Sequence, residues 1–126
     1  MRGANGMFQV TVNRTGRPLA SRAREARGLL ARAIGLLGRR GLGEGEALVF
    51  SRCNSIHTLG MRFPIDAVFV DREWRVVALR PGLAPGRFVL PVPGAWAVLE
   101  LAAGTLHEAG LQIGDQLTQM TADQTR

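Results

Sequence analysis

Residues 65–79 read Ile-Asp-Ala-Val-Phe-Val-Asp-Arg-Glu-Trp-Arg-Val-Val-Ala-Leu, and this stretch decides the fold class. Two apolar runs, Ile65–Val70 and Arg75–Leu79, flank Asp71-Arg72-Glu73-Trp74, and valine, isoleucine and phenylalanine favour the pleated backbone. Such a pair around a short charged link predicts a β-hairpin. Further strands are predicted on either side. Upstream they are Met7–Val12, with Phe8, Val10 and Val12 on one face, then Ala47–Phe50 and Ser55–Leu59; downstream they are Phe88–Leu90, Trp96–Leu101 and Gln116–Met120. Pro81–Pro93 holds four of the six prolines and reads as loop or sheet edge. One helical turn is expected at Leu106–Ala109, stopped by Gly110 or Gly114.

One segment reads differently. Leu19, Ala23, Ala26, Leu30, Ile34 and Leu37 recur at spacings of four and three, the stripe of an amphipathic helix. The spacing predicts a helix over 21–34, with Ser21 as N-cap, an end between Gly28 and Gly38, and Leu30 and Ile34 packed on the β core. The expected architecture is mainly β, a compact sandwich or small barrel with this N-terminal helix against it. Its organisation is a tail at 1–6, one domain at 7–120 and a tail at 121–126. A chain of 126 residues is long enough for one core and too short for two.

The net charge of +6 is local. There is no lysine; residues 1–52 carry ten arginines against three acids, and residues 53–126 carry six against seven. Aromatics are few in the chain and not interleaved with the arginines of the basic segment 14–40, so nucleic acid is expected to bind at most weakly and without sequence preference. No apolar run is long enough to span a bilayer, and no apolar h-region follows the N-terminal arginines. Cys53 is the only cysteine, which rules out an internal disulfide. A cytoplasmic location is the expectation.

The densest polar stretch is Cys53-Asn54-Ser55-Ile56-His57-Thr58-Leu59-Gly60-Met61-Arg62-Phe63-Pro64-Ile65-Asp66. The run SIHTLGMRFPIDAVFVD, VLELAAG at 98–104, GLQIGDQL at 110–117 and AREARGLLAR at 23–32 resemble, in this order, the family called domain of unknown function 192. That resemblance covers roughly residues 20–118. It implies a jelly-roll-like β fold with one N-terminal helix and carries no activity with it.

Read on their own, the carboxylates stand out. Alternation places Asp66 on a face with Val68 and Val70, and Glu100 on a face with Trp96 and Val98. A carboxylate in apolar surroundings is costly unless paired or hydrogen-bonded. One reading gathers His57, Arg62, Asp66 and Glu100 around a ligand pocket; the other has the carboxylates pin loops through backbone N–H groups, with Arg62 as counter-ion. The spacing of Cys53 and His57 invites a metal or thiol site. Only His107 could add a further imidazole or thiol ligand, too few to close a zinc site, and no oxyanion element is recognisable. No metal or cofactor is expected. Phosphate-loop, dinucleotide-binding and Gly-x-Ser-x-Gly patterns are missing. Asp115 reads as a turn residue, Met61 and Phe63 as core, and Trp74 as either folded back on the barrel or exposed for contact. The expected function is a small-molecule or peptide binding module near His57, Arg62 and Asp66. The alternatives are a hydrolase or lyase using Asp66 and Glu100 as an acid/base pair, and nucleic-acid association through the arginines.

Overall fold

The computed structural model describes residues 6–26 and 41–121. The strands are β1 (Met7–Val12), β2 (Pro18–Glu25), β3 (Glu46–Ser51), β4 (Ile56–His57), β5 (Ile65–Val70), β6 (Val76–Leu83), β7 (Phe88–Val89), β8 (Ala97–Ala102) and β9 (Leu117–Met120). A short helix, α1 (Thr105–Ala109), follows β8. Seven strands form one sheet in the order β6-β5-β8-β3-β2-β1-β9, and β4 pairs with β7 in a separate two-stranded sheet. All pairs are antiparallel except β2–β3.

The large sheet curls until its two edges meet. Arg75 bridges Gln116, the Val76 N–H donates to the Asp115 carbonyl at 2.9 Å, and the Leu117 N–H donates to the Trp74 carbonyl at 3.0 Å. The result is a curled, barrel-like sheet instead of two stacked sheets. Its concave side is packed by Val10, Val49, Val68, Leu99 and Leu101 among others. The opposite side of β5 and β8 presents Ala67, Phe69 and Val98, roofed by the small β4–β7 sheet through Ile56 and Val89. Both sides of β5 are covered, so all six of its residues are buried.

The predicted N-terminal helix is corrected. Residues 21–25 belong to strand β2, and Leu30 and Ile34 lie outside the described residues. A bulge explains the misleading stripe. Phe8 faces Ala23 but Val10 faces Ala20, so two steps on β1 oppose three on β2. Leu19, Ala20, Ala23 and Ala26 are all buried as a result. The spacing of four between Leu19 and Ala23 suits a strand as well as a helix.

The hairpin predicted over 65–79 forms, and its second strand runs on through Pro81 to Leu83. Asp71 Oδ1 accepts the N–H groups of Glu73 and Arg75 at 3.0 and 2.9 Å, which closes the loop. Trp74 adopts the left-handed region, φ 63°, and this turns its indole into the core edge-on to Phe8, with ring centroids 6.4 Å apart. A bulky residue there costs about 1–2 kcal/mol, which burial of the large aromatic offsets.

Leu99 is fully buried in β8, paired with Val49 on one side and Val68 on the other. Leu99→Ala is expected to lower stability by about 3 kcal/mol, read from the urea midpoint. A loss below about 1 kcal/mol would contradict the central place of β8 in the core.

Candidate functional site

Asp66 has no solvent exposure and points to the concave side with Val68 and Val70. Its Oδ1 accepts the Gly82 N–H at 2.8 Å; its Oδ2 accepts Gly104 N–H at 3.1 Å and Leu106 N–H at 2.9 Å. Two backbone irregularities supply these donors. Opposite β5, Ala67 faces Arg80 and Ile65 faces Leu83, so an extra residue is inserted around Pro81-Gly82. Proline has no N–H, and Gly82 at φ 59° turns its own toward the carboxyl. Gly104, at φ 95°, leads into α1 in the same way. The carboxyl thus fastens β6 and the start of α1 to β5.

Glu100 stands on the other face. It pairs with Ala67 on β5 and Leu48 on β3, whereas Asp66 pairs with Leu101, so the sheet lies between the two carboxylates. Val98 shares the face of Glu100, but Trp96 packs against the concave cluster. Glu100 is 5% exposed and accepts no hydrogen bond from the described residues. Burial pushes its carboxyl up to about 7.

The remaining predicted residues lie elsewhere. His57 is exposed on β4, its Nδ1 accepting the Leu59 N–H at 3.2 Å and its ring near Phe88. Arg62 is exposed on the following turn and has no partner among the described residues, so it is not the counter-ion of Asp66. The Cys53 thiol donates to the Ser55 carbonyl at 3.0 Å and does not meet His57. Among the described residues no three His, Cys, Asp or Glu side chains gather as a metal site would need. Much of the arginine-rich segment, 27–40, lies outside the described residues. Asp115 does more than turn the chain: it accepts N–H groups from Arg14 Nε at 2.8 Å and Gln112 at 2.9 Å, and the guanidinium holds its carboxyl below the usual range.

The structure adds a concavity that the sequence did not signal. A cavity of about 430 Å³ opens between β2 and α1. Arg17 and Ser21 line one side, Glu44 and Gly45 the rim, Thr105 and Glu108 the other side. These residues are scattered between positions 17 and 108 without a motif, so only the folded chain reveals them.

Over residues 10–119 the chain matches the family domain of unknown function 192, DUF192, described as an uncharacterized ACR. The chain belongs to this family. A structure of a Novosphingobium aromaticivorans protein of unknown function is similar at 27% identity, covering 94% of this chain and 90% of that one with a TM-score of 0.77. A Sinorhizobium meliloti structure, described as a "putative transcription regulator", is similar at 20% identity, covering 89% and 91% with a TM-score of 0.76; at that identity the likeness concerns the fold. No curated protein matches the chain. Within the matched region, the Asp66 carboxyl joins the segment 55–71 to the segment 98–104 through the Gly104 N–H. No helix among the described residues is long and apolar enough to cross a membrane.

Two substitutions separate the carboxylates. Asp66→Asn turns an amide N–H toward backbone donors and should cost about 3 kcal/mol, measured by denaturant unfolding. Glu100→Gln should act in the opposite direction at high pH. The folded-state pKa of Glu100 lies above its ordinary 4.5, so the unfolded chain ionises first and stability falls as pH rises from about 4.5 to about 7. The penalty, about 1.4 kcal/mol per unit, reaches about 3 kcal/mol above pH 7. Glu100→Gln should therefore equal the parent near pH 4.5 and exceed it by about 1–3 kcal/mol at pH 8; equal stability at both would refute the assignment.

Proposed function

We propose that this chain is a small-molecule binding module whose ligand enters the cavity between β2 and α1. The observation that carries the reading is that cavity of about 430 Å³, within the size range of ligand pockets. One wall, α1, is fastened by Asp66 through Gly104 and Leu106, which makes Asp66 a positioning residue. The charges that line it, Arg17 against Glu44 and Glu108, have no ion-pair partner among the described residues. Two carboxylates and one guanidinium suit a ligand with an ammonium group and a smaller anionic part, such as an amino acid or a short peptide.

An acid/base enzyme built on Asp66 and Glu100 finds no support, because a dyad needs both groups against the same substrate and the sheet separates them. A cytoplasmic location is proposed separately from the binding reading, on the free thiol of Cys53, which suits a reducing compartment.

The test is a thermal-shift and calorimetric panel of amino acids, dipeptides and linear polyamines at about 10 mM, enough to register a millimolar ligand. At least one member should bind, and Glu44→Gln with Glu108→Gln should weaken it about tenfold or more without moving the melting midpoint. No binding across the panel, or unchanged affinity in the double variant, would reject the cavity as the site.

A further inference from the structure

The two-stranded sheet β4–β7 presents a surface unlike the rest of the described chain. Val89 packs inward, and its neighbours Phe88 and Leu90 face away, 69% and 79% exposed. His57, paired with Phe88, lies against its ring at 6.2 Å, and Leu59 is 41% exposed just beyond. Large apolar side chains grouped this way mark contact surfaces.

The charge of the flanking sequence has one sign. Residues 52–65 and 80–99 contain no aspartate or glutamate, yet they carry Arg52, Arg62, Arg80 and Arg87. Arg62 and Arg87 belong to the segments that build the small sheet, and neither forms an ion pair among the described residues. Thr58 holds the surface in shape. Its hydroxyl donates to the Ala84 carbonyl at 2.7 Å and accepts the Arg87 N–H at 2.8 Å, and its carbonyl accepts the Gly86 N–H at 2.9 Å.

We propose that the outer face of the β4–β7 sheet docks on an anionic lipid bilayer, with Phe88 and Leu90 entering the headgroup layer and Arg62 and Arg87 meeting lipid phosphates. Apolar side chains beside unpaired cations match both layers of such an interface. Residues Ala84–Phe88 are exposed without interruption, so the face ends in a run free to approach a plane. Nucleic acid would use the arginines and the phenyl ring but has no place for Leu59 and Leu90. This inference rests on residues separate from the β2–α1 cavity, and each can fail alone.

The experiment is co-sedimentation of the full chain with vesicles of phosphatidylcholine, alone or with about one-third phosphatidylglycerol, at low and high salt. Binding is expected with phosphatidylglycerol, weakening as salt rises. Phe88→Ser with Leu90→Ser should lower the partition coefficient about tenfold or more, and Arg62→Gln with Arg87→Gln by a similar factor. All four residues are exposed, so melting midpoints should stay with the parent, and a variant that melts early is replaced by Phe88→Ala alone. No binding to phosphatidylglycerol vesicles would overturn the proposal. So would binding that ignores the Phe88 and Leu90 changes, since the arginines of the N-terminal half would then account for it. Capture of oligothymidylate or polyglutamate without vesicle binding would assign the face to a different partner and overturn it equally.

Discussion

A buried carboxyl oxygen must be taken up by donors, and at Asp66 the donors come from the backbone of two distant segments. The constraint runs both ways. Gly82, Gly104 and Leu106 present N–H groups at a bulge and at a helix start, where no ladder bond is available to them. Without the carboxylate, these donors would be left facing the core side of the sheet. The tie therefore fixes where β6 bends, where α1 begins and how Leu106 enters the concave core. It also accounts for the glycines at 82 and 104, since φ values of 59° and 95° are strained for any other residue.

The same alternation that buries Asp66 on one side places Glu100 on the other. Adjacent strands in register share faces, so the Ala67–Glu100 and Asp66–Leu101 pairs assign the carboxylates to opposite sides. Their surroundings then diverge. Asp66 meets three donors; Glu100 lies between Leu48 and Ala67 and meets none among the described residues. Two acids that look equivalent as apolar-strip carboxylates are a structural fastener and a group titrating near neutrality.

Much of this was legible in the sequence and some was not, for physical reasons. The hairpin at 65–79 was readable because turn chemistry and alternation act locally. The cost of burying Asp66 was readable too, but not its partners: His57 and Arg62 are nearest along the chain, whereas the donors used lie 16, 38 and 40 residues away. Sheet folds are held by non-local pairing, which sequence proximity does not reveal. The helix reading failed at 21–25 because a bulge spaced apolar residues at three and four, the interval of a helix. The outward turn of Phe88 and Leu90 was not legible in the predicted strand Phe88–Leu90, since only the roofing geometry decides that Val89 faces inward.

That geometry separates stability from recognition. The concave cluster of Val10, Val49, Leu99 and their neighbours is closed by the Arg75–Gln116 seam and needs nothing from the roof. The β4–β7 roof contributes Ile56 and Val89 to the smaller cluster and leaves its outer residues without an internal role. Loss of outer-face side chains therefore removes little buried area, while loss of the Thr58 brace would release the backbone that presents them. At the β2–α1 cavity the dependence is the same: the lining charges form no ion pair among the described residues, and the wall is held by the Asp66 tie. Each candidate surface is thus mounted on one buried polar residue, Thr58 or Asp66, and both lie in the Ser55–Asp71 motif that first set this sequence apart.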